Sequence, residues 1–239
     1  MIATLANPYR FMAVSRWLAP LCGLAAVVLI AWGLTLGLAV PPDYQQGETV
    51  KIMFVHVPAA WTAMFAYTGL GAASFSSLVF RHAVADAAAR AAAPLGALFT
   101  LAALITGSLW GKPMWGAWWV WGDSRLVSVL VLFLLFVGYM TLRASIEDEA
   151  KGARAADILA LVGLINLPVI KFSVDWWNTL HQGESIFRTG GPLIAPVYLN
   201  PLLLMGAGYS FAFLALWLTR TRAEIRLRRA SVLAMRGVA

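Results

Sequence analysis

The chain has 239 residues, of which 61% are hydrophobic and only 12% charged, about half the charge of an ordinary soluble domain. That composition excludes a soluble globular protein and a disordered one. The formal charge of +7, from 18 Lys and Arg against 11 Asp and Glu, reads as topological rather than as a nucleic-acid footprint, because basic residues hold loops on the cytoplasmic side of a membrane.

A spanning helix needs about 20 mostly apolar residues, and six stretches qualify. The first is 18–40, which carries no charge and contains Cys22. As the only cysteine it excludes an internal disulfide, a thiolate metal site and CxxC redox chemistry. Its apolar run is too long for the core of a cleaved signal peptide, and no small-residue cleavage site follows it. The second span is 59–80, bounded by Arg81, and the third is 91–110. The fourth, 126–143, lies between Arg125 and Arg143. The fifth, 155–174, is the weakest, with Asp157 and Lys171 near its ends, from where both side chains can snorkel to the interfaces. Within it, Asn166 and Pro168 predict a kink with the amide bonded to a neighbouring helix. The sixth, 197–219, stops at a basic tail. The expected fold is therefore all-α: a single polytopic six-span membrane domain over 1–239 with both termini on one side.

Lys and Arg decide which side. Thirteen basic residues fall on the face that carries the termini, with six of them in the tail (Arg220, Arg222, Arg226, Arg228, Arg229 and Arg236). The other face keeps five: Lys51, Lys112, Arg125, Lys171 and Arg188. The positive-inside rule makes the termini cytoplasmic and leaves three outer loops, 41–58, 111–124 and 174–196.

The second outer loop stands out. From Trp110 to Asp123 the chain reads WGKPMWGAWWVWGD, with Trp110, Trp115, Trp118, Trp119 and Trp121 inside twelve residues. An aromatic belt accounts for tryptophan at helix ends in general. If 115–119 is helical, Trp115, Trp118 and Trp119 share one face, which suits a helix lying in the interface. The alternative is a platform for a flat, conjugated, apolar ligand, since indoles offer large stacking faces. Seven of the eleven tryptophans fall in two outer loops once Trp176 and Trp177 are counted, and that asymmetry favours a site on the outer face.

Of the three histidines, His82 follows Arg81 and reads as a solvated loop residue. His56, just before span two, and His181, just after span five, belong to different outer loops on either side of the tryptophan loop. A lone interfacial histidine is usually a structural hydrogen-bonder. Two of them beside such a loop are candidates for axial ligands of haem iron, with Lys51, Lys112, Arg125 and Arg188 as unranked partners for the propionates. Zinc is disfavoured, since it wants three or four ligands.

Trp110–Arg125 resembles the tryptophan-rich "WWD" signature of haem-handling proteins of cytochrome c biogenesis. With HVPAAW (56–61), INLP (165–168) and WWNTLHQG (176–183), the whole chain resembles the haem exporter protein C family. The resemblance implies a haem-delivery subunit of the bacterial inner membrane, not an enzyme. It implies transient binding of haem b (iron protoporphyrin IX) on the periplasmic side, with His56 and His181 at the positions of the axial iron ligands. Trp110, Trp115, Trp118, Trp119, Trp121, Asp123 and Arg125 match the haem-binding loop. The implied partners are a periplasmic haem chaperone (CcmE), the ATPase and membrane subunits of an ABC transporter (CcmA and CcmB), a small single-span subunit (CcmD) and membrane lipid. One departure is Gly122. The family reads Trp-x-Trp-Asp-Ala-Arg-Leu where this chain inserts a glycine before Asp123, which would turn the following helical positions by about 100° unless the loop absorbs it. Asp123 therefore has two open roles, capping span four or contacting haem.

No GxxxxGK[ST], GxGxxG, GxSxG or HExxH occurs, so ATP hydrolysis is expected in a partner. Glu147, Asp148 and Glu149 read as a solvated face beside Lys151 and Arg154. Two rival readings stand beside haem delivery. One is a bis-His haem b electron carrier, which usually places its axial histidines inside the spans. The other is a six-span transporter of another small solute, whose site would lie near mid-membrane on broken helices. Relatives that attach haem to apocytochrome have many more spans and histidines, so six spans and two outer histidines point to the smaller, haem-presenting kind.

Overall fold

The computed structural model describes residues 7–183 and 185–237, without the side chain of the tail's Arg236. Helix α1 (Pro8–Ala39) is followed by a short 3₁₀ segment (Glu48–Ile52). Then come α2 (Met53–Phe80), α3 (Ala83–Trp115), α4 (Ser124–Ser145), α5 (Glu149–Gly163), α6 (Asn166–Trp176) and α7 (Pro196–Gly237). With α5 and α6 taken as one broken span, six segments are long and apolar enough to cross a membrane. The protein is thus an all-α polytopic membrane protein, as its unpaired backbone groups require in lipid. Successive spans alternate in direction. Residues 40–52, 116–123, 177–183 and 185–195 gather at one end of the bundle, and 81–82, 146–148 and the tail at the other. Helix α7 has 42 residues, about twice what a ~30 Å hydrocarbon layer requires at ~1.5 Å per residue, so the basic tail stays helical beyond the apolar span.

The break in the fifth span has a local cause. Pro168 cannot donate a backbone hydrogen bond to Leu164, and the helix loosens into a turn at Leu164 and Ile165. There Asn166 Nδ2 donates to the Ser128 carbonyl of α4 at 2.9 Å, the interhelical bond that the sequence anticipates.

Packing relies on small residues. Helix α1 lies along α7 and buries Ser15, Ala19, Cys22, Ala26, Gly33 and Gly37. A Cβ on Gly33 would approach Met205 Cγ to 2.9 Å, so the glycine is what lets the two helices close. The main core lies among α2, α3, α4, α5 and α7, around Tyr67, Leu70, Leu132, Phe136 and Phe213.

Two expectations change. Asp157 does not snorkel. Its residue is 1% exposed, with its carboxylate turned inward beside Ser74 and Ser77 of α2 and 3.5 Å from Tyr139 Oη of α4, because polar partners inside the bundle substitute for water. His82 is not simply solvated: its Nδ1 accepts the Ala85 amide at 3.2 Å and caps α3.

Candidate functional site

The site forms where the α2, α3 and α4 ends meet the loops. On the last turns of α3, Ala103, Gly107, Gly111 and Trp115 recur at a spacing of four and so share one stripe. His56 lies against this stripe. It belongs to the first turn of α2 rather than to a loop, because the 3₁₀ segment runs directly into the helix. His56 Nδ1 is 3.0 Å from the Ala103 carbonyl and 3.1 Å from Thr106 Oγ1. A carbonyl oxygen only accepts, so Nδ1 carries the proton and donates. The Thr106 hydroxyl spends its own proton on the Ala102 carbonyl at 2.6 Å, which leaves its oxygen free to accept. Nε2 of His56 makes no hydrogen bond among the described residues. Gly107 makes this fit possible, since a Cβ there would stand 2.9 Å from His56 Cε1.

One turn further along, the Trp115 ring folds back over Gly111, where a Cβ would meet it at 3.1 Å. Trp115 packs edge-on against Trp110 (centroids 5.0 Å apart, 84°) and against His181 (5.0 Å, 70°). Trp110 in turn donates Nε1–H to Gln46 Oε1 in the first outer loop at 2.9 Å. Rings from α3 thereby tie together all three loops at this end.

Asp123 holds His181. Its side chain is fully buried, and its two oxygens lie 3.2 Å and 3.3 Å from His181 Nδ1. Oδ1 also accepts the Leu126 amide at 2.9 Å, which caps α4, and Oδ2 accepts the Leu180 amide at 2.8 Å. Burial alone would raise the carboxyl pKa. The amides of Leu126 and Leu180 and the neighbouring His181 outweigh it, and Asp123 titrates below the ordinary carboxylate range. A carboxylate only accepts, so His181 Nδ1 carries the proton and its Nε2 is left without a hydrogen bond among the described residues. Burial pushes the His181 pKa down, Asp123 opposes this and Arg125 adds to it, and the net shift is downward. Both imidazoles thus present the same face: Nδ1 anchored to an acceptor and Nε2 unclaimed, the arrangement that fixes a metal-binding tautomer.

The two roles open for Asp123 therefore reduce to a cap and a support for His181 carried by one carboxylate. Gly122 sits in the turn before it with a non-left-handed φ and open space around its Cα, so the additional residue is absorbed ahead of α4. Arg125, in the first turn of α4, donates Nε–H to Ser173 Oγ of α6 at 3.1 Å and so points into the bundle.

The tryptophan loop divides. Trp110 and Trp115 belong to α3, which runs to Trp115 and ends at Gly116 in the left-handed conformation (φ 76°), with the Gly116 amide on the Lys112 carbonyl at 3.1 Å. Residues 116–119 are not helical, so Trp118 and Trp119 do not continue the Trp115 face. Trp118 and Trp121 point outward, 56% and 74% exposed, and Trp121 meets Trp119 edge-on at 5.5 Å. The indole nitrogen of Trp119 is buried and has no hydrogen-bond partner among the described residues. Of the other cationic candidates, Lys51 pairs with Glu48 at 2.8 Å, Lys112 Nζ donates to the Gly116 carbonyl at 3.1 Å, and Arg188 is exposed.

Sequence reasoning missed Ala103, Thr106, Gly107 and Gln46. For the α3 residues a signal existed in the small-residue spacing at 103, 107 and 111, but nothing linked it to His56. The described residues hold no cluster of three or more His, Cys, Asp or Glu that could bind a bare metal ion.

The sequence matches the family described as Heme exporter protein C over residues 1–236. It is 53% identical to the heme exporter protein C of Bradyrhizobium diazoefficiens over 231 residues, covering 97% of this chain and 88% of the relative. It is 46% identical to that of Paracoccus denitrificans over 232 residues (97% and 96%), and 44% identical to that of Escherichia coli K12 over 224 residues (93% and 90%).

Proposed function

This chain belongs to the haem exporter protein C family, and on that footing we propose that it is the membrane subunit that presents haem b for cytochrome c maturation. In this reading it lies in the bacterial inner membrane with its basic end in the cytoplasm and the His56–His181 end in the periplasm. It hands haem to a periplasmic chaperone (CcmE), beside an ABC transporter (CcmA and CcmB) that supplies ATP hydrolysis and a small single-span subunit (CcmD). The observation that carries the reading is the pair of imidazoles whose Nδ1 atoms are anchored and whose Nε2 atoms are unclaimed, beside an exposed aromatic surface.

Haem is the cargo and supplies its own iron and ring. His56 and His181 act as axial ligands through Nε2, and each anchor keeps its imidazole oriented while the cargo is absent, which lowers the ordering cost of binding. The indoles of Trp118, Trp119 and Trp121 offer apolar faces to the porphyrin edge. Transfer is ligand exchange: the two iron–nitrogen bonds break as the chaperone takes the haem, and this chain forms no covalent bond. His56 lies inside a span helix, a trait of electron-carrying cytochromes, so the test must include the hand-off. Purified protein loaded with haem should pass it to added chaperone, and iron-free protoporphyrin should bind far more weakly, since it cannot use the histidines. Equal affinity for the two porphyrins, or reversible redox turnover without transfer, would overturn the proposal.

The pH response follows from the site. Only neutral imidazole binds iron, and the His181 pKa is shifted below its ordinary value of about 6.5. Proton competition at His181 therefore begins at a more acidic pH than for free imidazole. Asp123, held below the carboxylate range, keeps its stabilising bonds until the pH falls through that lowered value. Soret absorbance followed by acid titration should stay constant through about pH 6.5 and fall only below it. A midpoint at or above the free-imidazole value would contradict the assignment of His181.

A further inference from the structure

At the opposite, basic end of the bundle lies a cleft of about 300 Å³, lined by Arg90 and Pro94 of α3, Tyr139, Met140, Arg143 and Ala144 of α4, Glu149 of α5 and Arg220 of α7. We propose that this cleft binds the phosphate of an anionic phospholipid, with one acyl chain lying along the exposed face of α3.

The charge at the cleft suits one phosphodiester. Asp86 accepts from Arg143 Nη1 at 2.7 Å and Nη2 at 3.2 Å and also from Arg228, which fixes the Arg143 guanidinium at the back of the cleft, 3.0 Å from Tyr139 Oη. Arg90 donates to Glu224 at 2.8 Å and stands 3.5 Å from Glu149, with half its side chain still exposed. Arg220 is exposed and has no ion pair among the described residues. The cleft itself is lined by three guanidiniums and the one carboxylate of Glu149; Asp86 and Glu224 hold Arg143 and Arg90 from behind, and Arg220 is the one whose charge no ion pair answers among the described residues. Guanidinium forks match phosphate oxygens.

The setting favours a lipid over a soluble phosphate. Helices α4 and α7 both pack on α3 but scarcely on each other, so α3 forms the floor of a groove between them. From Pro94 at the cleft, that floor continues as Leu98, Leu101, Ile105 and Leu109, all between 40% and 58% exposed and spaced as one helical stripe. The stripe runs into the apolar span, where lipid covers it, while the arginines sit at the end that the positive-inside rule assigns to the anionic leaflet. Basic pockets between spans at that depth suit lipid headgroups.

The full-length chain in mild detergent, titrated with lipid and read by native mass spectrometry, tests this. Phosphatidylglycerol should be retained and phosphatidylcholine should not. Arg220→Gln and, separately, Arg90→Gln should each weaken phosphatidylglycerol binding about five-fold. Arg154→Gln, an exposed basic position outside the cleft, should leave it unchanged. Arg90 is half exposed and Arg220 is exposed, so the variants should keep their fold, and haem binding at the far end reports that they do. Equal retention of both lipids, or equal weakening by Arg154→Gln and Arg220→Gln, overturns the proposal. Competition by inorganic phosphate at matched concentration would instead assign the cleft to a soluble phosphate and overturn the lipid.

Discussion

His181→Ala protein is expected to lose the bis-imidazole haem spectrum and to fall to background in haem transfer to the chaperone, and His56→Ala to do the same. In the proposed binding mode each substitution removes one of two bonds from protein to iron. Disturbing the supports of a metal ligand alone costs about 10–100-fold in affinity, so removing a ligand should cost at least ~100-fold. The two variants should differ in how far they can be rescued. His181 stands in a loop with 17% of its side chain exposed, so millimolar imidazole should enter the His181→Gly cavity and restore the absorption. His56 is packed between Gly107 and Thr106, and exogenous imidazole should rescue His56→Gly less well. Wild-type spectra and wild-type transfer in both alanine variants would remove the histidines from the mechanism and leave the aromatic surface as the binder.

The second large effect concerns Asp123. Asp123→Asn keeps Oδ1 for the Leu126 amide and, at 3.2 Å, for His181 Nδ1–H, but turns an NH₂ group toward the Leu180 amide. That stranded donor costs about 1–3 kcal/mol. His181 also exchanges a charged acceptor for a neutral amide oxygen with an NH₂ group beside it, which weakens the bond that fixes its tautomer, so haem affinity should fall about 10–100-fold. Asp123→Ala removes the helix cap as well, worth about 1 kcal/mol more, and should melt at a lower temperature than the asparagine variant. The signature is a haem defect in Asp123→Asn that is larger than its stability defect explains, measured as haem titration against thermal unfolding. If asparagine restores wild-type affinity and tautomer-sensitive nitrogen shifts at His181, the carboxylate is only a cap.

The tryptophan cluster shows what could be read ahead and what could not. Composition and spacing mark 110–121 as a site, yet they do not reveal that the residues divide. Gly116 in the left-handed conformation ends α3 and sends Trp110 and Trp115 into the support of His181, while Trp118 and Trp121 face outward. A glycine after a lysine-bearing turn is a legible helix stop, but which indole meets which ring depends on the approach of a loop 60 residues away. The same holds for Asp157, whose place near a span end suggested the interface. The packing of α5 against α2 and α4 buries it instead.

By itself the sequence determined the class of molecule, the number of spans and the break at Asn166. These follow from hydropathy runs, charge bias and a proline, all of them properties of neighbouring residues. It also marked His56, His181 and Asp123 by type. Only the tertiary structure decided that His56 sits inside a helix against Ala103, Thr106 and Gly107, that Asp123 caps α4 and holds His181 with one carboxylate, and that both histidines offer Nε2. Apart from the cap, which joins Asp123 to Leu126 and was one of the roles the sequence left open, those are contacts between residues 47 to 58 apart in the chain. They are set by how closely glycine and alanine let helices approach, which no local pattern in one segment encodes.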